Sequence, residues 1–473
     1  MVFGHQFSVS RMLARPVLRA ATSELRGTKA PALSQILPRR PTSTWAQDDK
    51  HVSGESGNTH LSGRIHVLGL GNVGTFVAHS LASRPSPPPI TLLLHSSLLY
   101  KDFQSRSQCL SINSLGLDDK KTGFDVNVLH AGSWRSLPHR NEYDAVISDQ
   151  SASSPKVVED DELASIEEDC RPIECLILSV KAPGTVNALQ SVRHRLTPDS
   201  TILFLQNGMG IIEDVNAQVF PDPKQRPHYL LGIISHGLAM RSGRYHVTHT
   251  GVGTTVIGPA MSENFRGSTT KLEEADWAPS TKYLLRTLTL TPPLVAVAEP
   301  PSSIMLYQLE KLAMNSVINP LTALMNRTNG HLLYNYSFTR LMRLLLLETS
   351  SVICGLPELQ KIPGIEGRFS PERLRWMVTR LVNKTAKNQS SMLQDMRHNK
   401  TTEIEYMNGY IVRRGEELGI RCVANYMIKH LVLAKLRDAR VKEASTIPID
   451  TGQDIKEDFQ DDPDEDLNDE HRG

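Results

Sequence analysis

Five cysteines in 473 residues, none in a C-x-x-C pair, exclude a disulfide scaffold. Cys109, Cys170, Cys175, Cys354 and Cys422 are odd in number and read as free thiols of a reducing compartment. Long apolar runs are also missing. The richest stretch, Leu341 to Leu347, is interrupted by Arg343, far short of the ~18 consecutive apolar residues that span a bilayer, so no membrane span is expected. No H-x-x-x-H pair or Cys/His cluster has metal-ligand spacing, and no metal site is expected. The net charge of +1 leaves no basic stripe for a phosphate backbone, which disfavours a nucleic-acid partner. What remains, at 39% apolar and 22% charged residues, is a globular protein without internal repeats. Its length suits two domains plus tails, because one core rarely grows past about 250 to 300 residues.

The small net charge hides two opposed ends. Residues 1–46 carry seven Lys/Arg against Glu24 alone, and residues 450–473 carry eleven acids against Lys456 and Arg472. Arg11, Arg15, Arg19 and Arg26 among Ser, Ala and Leu suit a mitochondrial leader, which predicts a matrix location. An ordinary disordered tail, and a cytoplasmic protein, is the alternative. Residues 47–62 read as linker. The acidic residues 441–473 hold too little apolar surface to offset their ordering entropy and are expected to be disordered. Two further stretches, Ser148–Cys170 and Met261–Pro279, look like surface insertions.

Between these ends, short apolar runs alternate with helical patterns up to about Val297, and helical patterns follow almost throughout. The change coincides with Pro292, Pro293, Pro300 and Pro301, poor residues for a helix interior. It divides the chain into an α/β domain over 63–297 and an all-helical domain over 298–440.

The α/β half opens on Arg64-Ile-His-Val-Leu68, a β-prone run leading into Gly69-Leu70-Gly71-Asn72-Val73-Gly74 and then an amphipathic segment. Strand, G-x-G-x-x-G and helix in that order form a dinucleotide-binding fingerprint, with the pyrophosphate on the helix N-terminus. The second strand, Ile90–Leu94, ends in His95-Ser96-Ser97, where an NAD site usually carries a carboxylate. Without that negative charge a 2′-phosphate is acceptable to His95, Ser96, Ser97 or Lys101, so NADP(H) is preferred over NAD(H). Two more strand ends, Lys181-Ala182 and Gln206-Asn207, should face the same crevice, since ligands bind beyond the carboxyl ends of parallel strands.

In the helical half Lys311, Asn315 and Asn319 are four residues apart. Each step of four drifts ~40° around a helix, so all three share one face within about 80°. Such a face is either solvated or aimed at an oxygen-rich ligand, with the lysine able to give a proton. Further on, Thr402 followed by Glu405 fits a capping box, which predicts a helix starting there with Glu403 in its first turn.

Taken together, these segments resemble the ketopantoate reductase (2-dehydropantoate 2-reductase) family over roughly residues 64 to 435. The specific ones are Lys311-Leu-Ala-Met-Asn315 with Asn319-Pro-Leu-Thr322, Asn329-Gly330, and Ser390-Ser391-Met-Leu-Gln-Asp395 with Thr402-Glu-Ile-Glu-Tyr-Met-Asn-Gly409. The resemblance implies a Rossmann-type dinucleotide-binding domain, an all-α C-terminal domain and an active site between them. It implies Lys311 as the general acid for reduction of ketopantoate to (R)-pantoate by NADPH, in pantothenate and coenzyme A biosynthesis. Asn207, Asn315, Asn319, Asn329 and Ser391 are implied as substrate-binding. Glu403 is implied as a hydrogen-bonding group of the cleft and counts, with Gly69 to Gly74, Lys181 and Asn207, among the cofactor-binding residues. The family often has an arginine after the second strand, and this chain does not. A reductase of another branched 2-oxo acid and a catalytically silent relative are the alternatives. A homodimer is compatible with the sequence, which leaves oligomeric state open.

Overall fold

The computed structural model describes residues 61–137, 160–239, 243–261 and 277–445. The chain divides into two units, Met1–Thr59 and His60–Gly473, and every described residue belongs to the second. The leader over 1–46, nearly all of the linker, residues 148–159 and 262–276 of the insertions, and the tail beyond 445 lie outside the described residues.

Strands β1 (Ile65–Leu68), β2 (Ile90–Leu94), β5 (Asp125–His130), β7 (Cys175–Leu178), β8 (Thr201–Phe204) and β9 (His228–Ile234) form a parallel sheet in the order β5-β2-β1-β7-β8-β9. β6 (Ser133–Leu137) adds to one edge and β12 (Thr255–Pro259) to the other, both antiparallel, and β13 (Ala296–Ala298) closes the sheet beyond β12. β1, β2, β7 and β8 are buried along their whole length. They can be apolar runs rather than alternating ones because helices cover both faces of a parallel sheet. Those helices are α1 (Asn72–Ala82), α2 (Ser97–Ser105), α3 (Asp160–Ser165), α4 (Thr185–Val192), α5 (Ile211–Gln218) and α6 (Pro279–Thr289). The chain reverses its direction of winding at β1, so β1 and β7 flank the crevice where a dinucleotide binds in this topology. A second sheet, β10 (Gly237–Ala239), β11 (His246–Gly251), β3 (Leu110–Ser114) and β4 (Leu117–Lys121), lies over α1.

From Pro301 the described chain is helical: α7 (Pro301–Met325), α8 (Tyr336–Gly355), α9 (Ile365–Arg368), α10 (Pro371–Lys384), α11 (Ser391–Arg397), α12 (Asn408–Glu417) and α13 (Val423–Ser445). They enclose their own core around Leu309, Val317, Leu321, Leu345, Phe369 and Ile411. Pro301 occupies the first turn of α7, where no intrahelical N–H is needed.

Pro320 lies inside α7 and cannot donate to the Ser316 carbonyl one turn back. Asn408, fully buried on α12, makes good the loss: its Nδ2 donates to Ser316 O at 2.9 Å and to Asn425 Oδ1 at 2.9 Å. Asn408→Ala is therefore expected to lower stability by about 1–3 kcal/mol, the cost of leaving a buried carbonyl unpaired. Urea unfolding measures it, and Pro320→Ala in the same chain, by restoring the backbone donor, should recover part of the loss.

Four sequence expectations need correction. α13 continues to Ser445, so residues 441–445 are helix rather than disordered tail. The end of the supposed linker is anchored, because Ser62 donates from its N–H and its hydroxyl to Glu174 at 2.9 and 2.7 Å. The stretch Ser148–Cys170 is not all surface insertion: Leu163 packs in the sheet core, and Asp169 is buried between Asn127, Arg171 and Arg195. At the end of Met261–Pro279, Ala278 is buried and Pro279 starts α6.

Candidate active site

The glycine loop joins β1 to α1. Gly69 has φ +99°, and a Cβ there would lie 2.5 Å from the Val180 nitrogen on the neighbouring strand connection. A Cβ on Gly74 would lie 1.9 Å from Gly69 O, so helix and strand close on each other only with glycine at this position. Gly71 differs: its missing Cβ faces open space. α1 begins there without a side-chain cap and without an acidic residue in its first turn. Amides of Asn72, Val73 and Gly74 are thus presented for an anion at the positive end of the helix dipole. Leu70 and Val73 pack against the sheet core, and the Asn72 side chain donates to Leu238 O at 3.4 Å. This cradle fits the pyrophosphate of a dinucleotide. Gly71→Ala should consequently leave the melting temperature of the protein alone unchanged while weakening NADPH binding at least tenfold in a fluorescence titration, whereas Gly74→Ala should disrupt the fold itself.

Across the crevice, Glu403 gathers the polar groups. It is almost fully buried, and its carboxylate accepts from the Ala182 N–H at 3.2 Å and from Asn207 Nδ2 at 3.1 Å. Lys181 Nζ stands 3.8 Å from the same carboxylate and donates to Asp395 Oδ2 at 2.8 Å. These bonds explain why the expected capping box does not form. The Thr402 hydroxyl has no partner among the described residues, Glu403 precedes a 3-10 turn at Ile404–Tyr406, and the α-helix begins only at Asn408. Met209 N–H donates to Tyr406 O at 2.8 Å, holding that turn against the Asn207 loop. Bonding between domains outweighs a local helix signal.

Lys311 lies on the face of α7 that meets the sheet, where its Nζ donates to Ile234 O at the end of β9, at 3.0 Å. Burial lowers its pKa to about 8, against the upward pull of the Glu403 carboxylate. For Lys181 burial also acts downward, but Glu403 and Asp395 together outweigh it and raise the pKa. The two ammonium groups are pushed apart in acidity, and Lys311 is the one able to release a proton near neutral pH.

One turn pair further along α7, Asn319 is buried and its Nδ2 reaches Ser391 Oγ at 3.5 Å and Met407 Sδ at 3.6 Å. Asn315 lies between them on the same helix, half-buried. Thr322 Oγ1 meets Ser390 Oγ at 2.7 Å, tying the start of α11 to α7. Asn329 is buried, its Nδ2 donating to Thr385 Oγ1 at 2.9 Å, and its Oδ1 has no partner among the described residues. So Lys181, Asn207, Glu403 and Lys311 form one group, and Asn319 and Ser391 another. Met407, four residues after Glu403, accepts from Asn319, and Asn329 is bonded instead to Thr385. Asp395 and the Ala182 N–H were missed from sequence. A carboxylate facing Lys181 was hidden in a helical string, and a backbone donor has no residue signature. Ser96, expected as a phosphate ligand, instead caps α2 by accepting from Leu99 N–H at 3.4 Å.

Among the described residues, no helix is long and apolar enough to cross a membrane. Residues 65–262 match the family model described as Ketopantoate reductase PanE/ApbA, and residues 303–436 match its C-terminal counterpart. A probable 2-dehydropantoate 2-reductase of Schizosaccharomyces pombe is 27% identical over 379 residues, 80% of this chain and 97% of that protein. The 2-dehydropantoate 2-reductase of Salmonella typhimurium is 33% identical over 55% of this chain and 74% of its own. A ketoisovalerate reductase of Gibberella fujikuroi is 27% identical over 75% of this chain and 79% of its own. A crystal structure of a PanE/ApbA family ketopantoate reductase from Ralstonia eutropha shares the fold, with a TM-score of 0.55 at 20% identity over 80% of this chain and 99% of that one. The chain belongs to the ketopantoate reductase family.

Proposed function

We propose that the protein reduces 2-dehydropantoate to (R)-pantoate with NADPH, using Lys311 as general acid. The observation that carries this is the Lys311 ammonium, fixed on the carbonyl of Ile234 at the crevice, with a pKa of about 8. When bound, the nicotinamide supplies hydride to the carbonyl carbon. Lys311 stabilises the negative charge that develops on the carbonyl oxygen and gives that oxygen its proton. Glu403 holds Asn207 toward the crevice and, through its charge, keeps Lys311 protonated at neutral pH. Lys181, pinned between Asp395 and Glu403, stays charged and serves binding rather than proton transfer.

Ketopantoate differs from ketoisovalerate by one hydroxymethyl group. The loose Asn319–Ser391 contact and the unpartnered Asn329 Oδ1 favour a substrate that brings a hydroxyl. A site that hydrogen-bonds a hydroxyl rejects the analogue lacking it by ~10⁴- to 10⁵-fold, whereas a purely apolar wall discriminates far less. The likeness to the ketoisovalerate reductase supports the second reading, a reductase of that shorter acid. NADPH oxidation with each 2-oxo acid decides between them. A higher kcat/KM with ketoisovalerate overturns the first reading, and turnover of neither returns the silent relative. We further propose that residues 1–46 direct import into mitochondria; deleting them from a fluorescent fusion should abolish that location.

A further inference from the structure

Cofactor choice is left without a source of charge at the end of β2. Ser96 is committed to its helix cap. At His95, loss of solvent around the ring and the nearby Arg244 guanidinium both lower the pKa, which disfavours the charged imidazole. A basic group whose charge acts on His95 comes from elsewhere in the chain, Arg244 just before β11.

The chain around β10 and β11 is fixed at both ends of the crevice. At one end Asn72, the first residue of α1, donates from its side chain to Leu238 O in β10. At the other, Tyr245 is buried edge-on to Phe103 of α2, with ring centroids 5.0 Å apart, and its hydroxyl donates to Leu99 O at 2.8 Å. Tyr245 adopts a left-handed backbone, φ +62°, an uncommon conformation for a non-glycine residue that its buried ring holds in place. Arg244 directly precedes it and is set against α2. Its Nη1 is 3.9 Å from Asp102 Oδ2, and its side chain is 54% exposed. One long ion pair uses little of a guanidinium with five N–H donors. Asp102 also holds Arg106, at 3.3 Å, so Arg244 shares this carboxylate with a second guanidinium.

We propose that Arg244 forms the site for the adenosine 2′-phosphate, supplying from the chain just before β11 the charge that the end of β2 lacks. A planar guanidinium suits two phosphate oxygens at once, and its charge favours a dianion over a hydroxyl. β10, bonded to the first residue of α1, shortly precedes Arg244, so one stretch of chain contributes to both the pyrophosphate cradle and the proposed ribose end. The proposal rests on the reading of an NADPH enzyme, and its test is arranged to fail separately from it.

Calorimetric titration of the full chain with adenosine 2′,5′-bisphosphate and with 5′-AMP reads the site without turnover. The unaltered protein should bind the bisphosphate at least tenfold more tightly. Arg244→Ala should abolish most of that ratio and leave 5′-AMP affinity unchanged, while Arg244→Lys should keep part of it. In kinetics, the KM for NADPH of Arg244→Ala should rise at least tenfold with kcat and the KM for NADH unaffected. A bisphosphate preference that survives Arg244→Ala overturns the assignment, as does an unaltered protein that binds both nucleotides equally. A preference abolished by Arg244→Ala, in a protein that turns over no 2-oxo acid, upholds the site while the proposed reaction falls.

Discussion

Lys311→Ala is expected to lower kcat for 2-oxo acid reduction by ~10²- to 10⁴-fold, the usual worth of a positioned general acid, while the Kd for NADPH changes little. The split follows from position. Lys311 reaches the crevice from the helical domain, whereas the dinucleotide cradle is built from the β1–α1 loop of the sheet domain. Its proton also gives the reaction a pH signature. The acid works only while protonated, and burial sets its pKa at about 8, so kcat/KM should fall as pH rises through that region and be level below it. In Lys311→Ala the low residual rate should lose this limb. Lys181→Ala should keep it, because Lys181 is held charged by two carboxylates and releases no proton there. Near wild-type turnover by Lys311→Ala, or an alkaline limb that persists without the lysine, would remove Lys311 from the mechanism.

Much of the fold could be read from the sequence because its signals are local. A parallel strand buried on both faces writes itself as Ile-His-Val-Leu or Cys-Leu-Ile-Leu, and the glycine loop needs its residues at fixed spacing. Lys311, Asn315 and Asn319 were legible as a face for the same reason, since a helix repeats at 3.6 residues. What the sequence hid depends on partners far along the chain. Thr402 and Glu405 carry a valid local helix start, yet Glu403 is bonded to Ala182 and Asn207, more than 190 residues away, and the helix yields. Asn408 looks like any polar residue in a helix until Pro320 is seen to need its amide. Arg244 shows nothing in its own neighbourhood; only the packing of Tyr245 on α2 brings it against Asp102 of that helix. The roles inferred for the site residues therefore came from the family pattern, and the geometry adds the reason each type is required.

Glu403→Gln should give the second largest effect, and it separates charge from shape. Glutamine keeps an oxygen for the Ala182 N–H, but its amide would meet the Asn207 amide donor to donor, at the position where the carboxylate now accepts at 3.1 Å. Asn207 must turn, which moves a group at the crevice, and misplacement on the scale of 1 Å can cost roughly 10²-fold in rate. Stability should fall as well, by about 1–3 kcal/mol, since a buried charge-assisted bond is replaced by an imperfect neutral one. The loss stays moderate because Lys181 keeps Asp395. The sharper readout is again pH. Glu403 is the carboxylate that raises the Lys311 pKa against the downward force of burial, so its neutralisation should move the alkaline limb of kcat/KM to lower pH. Asp395→Asn is the control: it removes the other partner of Lys181 and should weaken binding while leaving that limb in place. If the limb stays fixed in Glu403→Gln, the proton on Lys311 is governed by another group, and the link between the two domains that Glu403 provides is structural alone.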